Sequence, residues 1–477
     1  SCEVRTDLGM AYPSEQREVE QSPLLLEVSN GGRIGGTPSQ GTQPLSSTTK
    51  TFANLMLCTL GTGVLGLPYT FSTVGWVSGL LILAVSAAIA YHGMMLLVRS
   101  KCLFVQRHPD LLVAGYGDLM FHVFGRYGRL VVDILLTLST IACGISYLTF
   151  ITQNIASIAS TLIDTSTTTS TSSLFEDAFH HQKNTFSSGS DRPVLLEKIL
   201  LGLITTWTWT SSTLYTWIIF PFEVALAAIP SLTYLAPLSS LADLANLAAL
   251  AAVAVADIVE IQKVSGFPAV AAFRNIISVP SAFGVGIYAF QSAGMMIPLE
   301  LSMAEPWKFG NVLGWAFTFG GLIYAGFAML GYMAFGDDVQ QIITLNLQSG
   351  MVPIVVKGAL CSSLLLALPL EFNPMWELIE RRFSERKLSL WLRAVVLFVV
   401  CLLATTVTQF AVFLSLAGSS ISCLLGFILP AALHLKITKE DLEKPPSFLA
   451  MAADYVLIAF GLLFGAFGTT VSFINLL

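Results

Sequence analysis

The chain has 477 residues, of which 54% are apolar and 11% charged, and a net charge of −6; its mean hydropathy is +0.73. A soluble domain carries about 25% charged residues, so the composition excludes a water-soluble globule and makes the bilayer the solvent for most of the chain. It has no basic block, which excludes a nucleic-acid binder, and its seven cysteines form no Cys-x-x-Cys pair, so neither a disulfide framework, a zinc site nor a cofactor is expected.

Residues 1–49 are rich in Gly, Ser, Thr, Glu and Gln and read as a disordered cytosolic tail without the apolar core of a secretory signal. Within it, Glu20-Gln21-Ser22-Pro23-Leu24-Leu25 fits the acidic dileucine pattern read by sorting adaptors. Glu20, Leu24 and Leu25 favour a vacuolar or lysosomal membrane, with the plasma membrane as the alternative. Residues 50–474 read as a transmembrane domain. A span needs about 20 apolar residues, and eleven runs qualify: 50–73, 76–99, 128–159, 213–229, 234–259, 282–301, 311–335, 351–373, 388–408, 411–435 and 448–474. Residues 164–192 form a Ser/Thr-rich polar stretch, expected to be a disordered lumenal loop. The apolar stretch 194–212 is either an interfacial helix or an extra span that would invert everything after it. The expected fold is therefore an all-α polytopic membrane protein.

Charge tests this threading, because Lys and Arg concentrate in cytosolic segments. With the N-terminus cytosolic and eleven spans, eighteen of the 24 basic residues fall on the N-terminal side and five on the other; Lys357 lies within a span. The bias disfavours the extra span.

The first span contains Gly61-Thr62-Gly63-Val64-Leu65-Gly66, a G-x-G-x-x-G pattern. A dinucleotide site needs a preceding strand and a βαβ unit, and neither surrounds it. The glycines either let helices pack closely or, with Pro68, unwind the helix. Three glycines and a proline within eight residues favour unwinding. Unpaired backbone at membrane depth is tolerated where it lines a cavity, and broken transporter helices use their free amides for carboxylates and their carbonyls for amines or ions. The sixth span is also interrupted: small and polar residues surround Tyr288, Phe290, Gln291 and Ser292, and Pro298 follows. Discontinuities five spans apart point to a five-plus-five inverted repeat with broken helices 1 and 6.

These stretches resemble the amino acid/auxin permease family, and within it the vacuolar and proton-coupled transporters. The resemblance runs from Thr51 to the C-terminus. It is carried by Thr51-Phe52-Ala53-Asn54, by Gly61 to Tyr69, by Tyr234-Leu235-Ala236-Pro237-Leu238, by Gly294-Met295 with Pro298-Leu299-Glu300, by Leu330 to Gly336, and by Asn373-Pro374 with Glu380-Arg381-Arg382-Phe383. It implies eleven helices, five plus five with one additional, and an amino acid held by the backbone of spans one and six. Spans three, eight and ten would complete the site, and protons, or sodium in some branches, would drive transport. Tyr147 would close the site over substrate, with a buried structural tyrosine as the competing reading. The vacuolar branch commonly carries glutamate where this chain has Gln291, which cannot titrate.

Ionisable groups in spans are functional suspects. Glu223 either replaces the acid missing at position 291 or is a carboxyl paired near a membrane face. Ser362 and Ser363 either offer hydroxyls to a sodium ion or bond their own helix. Lys357 is expected to snorkel, Asp243 to make a packing hydrogen bond, His92 to be a core histidine, and Glu371 to be a cap or latch. With no acidic pair at the breaks, small neutral amino acids are the expected substrates, and Phe290 and Met295 would set side-chain size. The rivals are a nutrient sensor with little flux and a membrane-embedded enzyme; the spans carry no nucleophile motif, catalytic dyad or metal cluster for the latter.

Overall fold

The computed structural model describes residues 46–59, 61–181, 212–229, 232–263, 270–347, 350–383, 389–440 and 448–476; of 164–181, 232–243 and 381–383 only the backbone is described. The predicted tail with its dileucine motif, the stretch 194–212 up to Ser212, and the side chain of Asp243 lie outside these residues. Among the described residues the fold is all-helical. In hydrocarbon every backbone polar group must be satisfied within the segment, which an apolar helix achieves alone. The helices in order are α1 Thr48–Thr59, α2 Leu67–Val74, α3 Trp76–Arg107, α4 Tyr116–His181, α5 Ser212–Ala227, α6 Leu232–Lys263, α7 Val279–Ala289, α8 Ala293–Ser302, α9 Phe309–Phe335, α10 Met351–Phe383 and α11 Leu390–Thr406. They are followed by α12, Phe410–Lys439, and α13, Phe448–Leu476. Among the described residues, eight segments are long and apolar enough to cross a bilayer, or nine if α1 and α2 are one bent span; α5 and α11 are shorter apolar helices.

Several boundaries differ from those the sequence predicts, for identifiable reasons. α4 runs on to His181, through a stretch without glycine or proline that reads as loop from composition. It is interrupted earlier by Gly125, whose φ of 72° is left-handed and open to glycine at little cost. α10 passes through Pro369 and Pro374 to Phe383 instead of ending at Asn373; in membranes neighbouring helices re-satisfy the backbone groups that proline frees. α12 contains two π-helical stretches, Gly418–Ser422 and Leu424–Ile428.

The π-helical stretches coincide with the tightest approaches in the fold. A Cβ on Gly418 would lie 1.9 Å from the Gly284 carbonyl oxygen, and one on Gly93 would lie 1.9 Å from that of Gly426. Small residues let membrane helices approach at backbone distance, and here α12 is wedged between α7 and α3. A buried core of Leu, Phe, Val and Ile runs through the bundle. Large apolar side chains such as Leu81, Leu322, Val456 and Leu463 are exposed, as a lipid-facing surface requires.

Helix ends are tied together on two faces. On one, Ser46 exchanges backbone hydrogen bonds with Ser302 and Ala304 at 2.9 and 3.0 Å, and Lys101 pairs with Glu300 at 2.6 Å. At the same end of α3 Arg107 donates to the Ile437 carbonyl; Lys436 donates to that of Val123, and Arg393, near the start of α11, to that of Ala227, the last residue of α5. On the other, the amides of Trp76 and Val77 donate to Ala271 and Ala272 at 3.1 Å, and Arg274 pairs with Asp337.

Gly418→Ala and Gly93→Ala are each expected to cost about 1–3 kcal/mol through forced separation of packed backbones. Gly358→Ala, with nothing within 4 Å of its Cβ, is expected to be neutral. Thermal midpoints of the purified variants in detergent check this.

Candidate functional site

The predicted interruptions are present, and they face each other. α1 ends at Thr59, Gly61 is extended (φ −97°, ψ −165°), Thr62–Gly66 form a 3-10 turn, and α2 begins at Leu67 with Pro68 in its first turn. Proline is tolerated there because that amide has no helical partner. The two segments are bent by 45°. In the second interruption α7 ends at Ala289 and α8 starts at Ala293 after Phe290, Gln291 and Ser292; Pro298 lies inside α8 rather than at the break. A Cβ on Gly63 would sit 2.9 Å from the Ala289 Cα. Glycine at 63 is therefore what lets the two breaks touch.

A chain of hydroxyls joins the breaks to α4. Thr62 Oγ1 lies 3.1 Å from Ser146 Oγ, which lies 2.9 Å from the Tyr288 hydroxyl. Tyr147 is buried, with its hydroxyl 3.9 Å from where a Gly61 Cβ would be. Ser292 Oγ is buried and has no hydrogen-bond partner, although it caps the start of α8. Tyr324 of α9 places its hydroxyl against the carbonyls of both Thr59 and Ala289, the last residues of α1 and α7. One hydroxyl proton thus serves the negative ends of two half-helices. The two positive ends lie at the 3-10 turn and at Ala293; near them the Gly61 amide donates to the Thr59 carbonyl at 2.8 Å and the Met295 amide to that of Ser292 at 3.0 Å, while the first amides of a helix have no intrahelical acceptor.

Other predicted residues make contacts of their own. Val64, Leu65 and Gly66 are buried, and a Gly66 Cβ would meet Leu414 and Phe410 of α12. Gln291 approaches α12, 3.4 Å from where a Gly426 Cβ would be. Phe290 stacks on Phe317 and lies tilted against Tyr324, with ring centroids 5.4 and 5.3 Å apart, and is wholly buried there, while Met295 is 40% exposed. Both hydroxyls of the serine pair bond their own helix: Ser362 is exposed and donates to Gly358 O, and Ser363 donates to Leu360 O. Glu223 is buried on α5, which packs on α4 and α11, and its Oε1 has no partner. Lys357 does not snorkel; it is buried and donates to Ser157 Oγ at 3.0 Å.

Sequence reasoning missed Ser146 and Tyr324, because a serine and a tyrosine inside apolar helices carry no local signal. Glu371 is the residue expected to be a cap or latch. This carboxylate lies within electrostatic reach of Cys143 and Tyr147. It stands nine residues, about 2.5 turns, from Ser362, on the opposite side of α10.

Two interrupted helices that meet inside a bundle of membrane-spanning helices, with uncharged donors and acceptors between them, define a broken-helix membrane transporter. Residues 45–474 match the family described as transmembrane amino acid transporter protein. The chain belongs to that family, whose members are carriers and not enzymes. Among its relatives in Arabidopsis thaliana, amino acid transporter AVT3C is 39% identical over 460 residues, covering 95% of this chain and 97% of that protein. Amino acid transporter AVT3B is 39% identical over 460 residues, covering 96% and 98%. Amino acid transporter AVT3A is 36% identical over 433 residues, covering 91% of each. A substrate-bound, outward-open Na+-coupled sialic acid symporter aligns with a TM-score of 0.32 at 10% identity over 90% of this chain and 95% of that one, too loosely to define the fold.

Tyr324→Phe leaves two helix-end carbonyls without their donor, a cost of about 1–3 kcal/mol where they are buried. It is expected to lower the thermal midpoint and slow transport together. Gly63→Ala is expected to abolish amino acid binding in a folded protein, because its Cβ would push the breaks apart; retained binding by thermal shift would contradict this.

Proposed function

We propose that this transporter carries small neutral amino acids, driven by protons, and holds them between the two helix breaks. The observation that carries this reading is the unpartnered Ser292 hydroxyl beside the facing half-helix ends. A buried donor without a partner is costly, and a bound zwitterion supplies one. The carboxylate would meet amides near Gly63 to Gly66, with Gly61, Thr62, Val64 and Leu65 lining the same break. The ammonium would meet carbonyls of the two breaks, from Tyr288 to Phe290. Tyr147 and Gln291 would flank the substrate. Thr62, Ser146, Tyr147, Tyr288, Gln291 and Ser292 are all uncharged, which favours neutral side chains.

The reading includes eleven spans in a five-plus-five inverted repeat with a cytosolic N-terminus. The two tied faces support it: each joins only helix ends that alternating threading places on one side, as Ser46 with Ser302 or Arg107 with Ile437. The repeat is supported by two breaks in corresponding positions, the first span running from α1 to α2 and the second from α7 to α8. A vacuolar or lysosomal membrane is the proposed address, read by sorting adaptors at Glu20, Leu24 and Leu25. Because Gln291 cannot titrate, the coupling acid lies elsewhere in the spans, and Glu223 is one buried carboxyl available for that role.

Uptake of labelled alanine into proteoliposomes is expected to rise with a pH gradient and to fall when a protonophore collapses it. Absence of uptake for every neutral amino acid would contradict the reading. Gln291→Glu is expected to steepen the pH dependence of uptake, and an unchanged profile argues against a coupling role at that position. Exchanging Leu24 and Leu25 for alanine is expected to move a fluorescently tagged protein to the plasma membrane, followed by microscopy.

A further inference from the structure

α6 turns one buried stripe, Ala249, Leu250, Val253 and Asp257, toward α9 and α10. The spacing of three and four residues marks a single helix face. Three of the four are apolar, as that face requires; the fourth is a carboxylic acid. Asp257 is 0% exposed, and neither Oδ1 nor Oδ2 has a hydrogen-bond partner.

The titratable groups of the elements packed against it are engaged elsewhere. On α10, Lys357 donates to Ser157 Oγ at 3.0 Å, and Cys361 Sγ donates to the Ile151 carbonyl at 3.7 Å. Glu371 lies fourteen residues beyond Lys357, at the other end of that helix. On α9, the Tyr324 hydroxyl lies between the Thr59 and Ala289 carbonyls, and the Tyr332 hydroxyl accepts from the Ala271 amide at 3.2 Å. Along α6 itself, Glu260 and Lys263 pair with each other at 2.9 Å.

A buried carboxylate without a paired cation or donor bears a heavy desolvation penalty that the neutral acid largely escapes. We propose that Asp257 is a proton-binding site of the transport cycle, protonated while the interface of α6 with α9 and α10 is closed and deprotonated when that interface admits water. The step is a proton transfer alone: a proton from water binds one carboxylate oxygen and later returns to water on the other side. α9 links the two sites, since it packs on α6 and places Tyr324 at both helix breaks. Asp257 has both carboxyl oxygens fully buried without a partner, whereas in Glu223 only Oε1 is in that state.

The inference rests on proton-driven transport, and two readouts separate its failure from the failure of that reading. The infrared spectrum of the purified protein at neutral pH is expected to show the carbonyl stretch of a protonated carboxylic acid that Asp257→Asn removes. A spectrum unchanged by Asp257→Asn would overturn the proposal whatever drives transport. In proteoliposomes, Asp257→Asn is expected to lose the effect of a pH gradient on alanine accumulation while keeping alanine counterflow, which needs no net proton movement. A wild-type protein indifferent to the gradient overturns the proton-driven reading and the transport role with it. A wild-type response that survives in Asp257→Asn, or that Glu223→Gln removes instead, overturns the assignment of the site alone. If Asp257→Asn fails to fold, Asp257→Glu decides: it is expected to keep gradient-driven accumulation with a displaced pH profile, and an undisplaced profile overturns the proposal.

Discussion

A helix interrupted inside a bilayer must find partners for the backbone groups it frees, since lipid offers none. The rest of this structure depends on how that constraint is met. Gly63 brings the first break against Ala289 at the second, and Tyr324 covers the carbonyl ends of α1 and α7 together. The carbonyls of Thr59 and Ala289 share that one donor, and each oxygen keeps a second lone pair. An α-amino acid presents a carboxylate and an ammonium at a fixed separation, so backbone at two facing breaks can recognise the whole class without a charged side chain.

The surrounding bundle holds the breaks in place. α12 lies at backbone distance from both α7 and α3, through Gly284 with Gly418 and Gly93 with Gly426. Its π-helical stretches occur at these contacts, and π-bulges are a recurrent way for a helix to adjust its register at functional sites. Gln291 also reaches toward Gly426, so the second break, the π-helical segment and α3 form one contact. At one end of the bundle, the backbone bonds of Ser46 with Ser302 and Ala304 and the ion pair of Lys101 with Glu300 join the start of α1, the end of α8 and α3. Motion of either broken helix at this end has to part these contacts.

Much of the fold was legible in the sequence because the bilayer imposes a simple code of apolar length and broken periodicity. The first break was readable from three glycines and Pro68, and the second from small and polar residues where leucines were expected. Helix ends were less legible. Pro374 marks a stop in water but not inside a bundle, and the passage of α4 beyond Asp164 reflects a stretch with no residue that ends a helix. Residues whose roles depend on depth and rotation were least legible. Lys357 lay near enough to an edge to predict snorkelling, yet it turns inward to Ser157. Asp257 lay near the end of an apolar run, where a polar residue looks ordinary, and only the buried stripe of α6 shows that it faces the interior. Ser146 and Tyr324 belong to the site through contacts made across 84 and 265 residues of sequence, which no local pattern encodes.

The central claim is that the backbone of the two breaks is the substrate site. Hydrogen–deuterium exchange of the purified protein with and without alanine tests it most directly. The account predicts that alanine slows exchange at the amides of Thr62–Gly66 and of residues 290–295. Exchange that is unchanged in both segments while alanine protects another part of the bundle would contradict it.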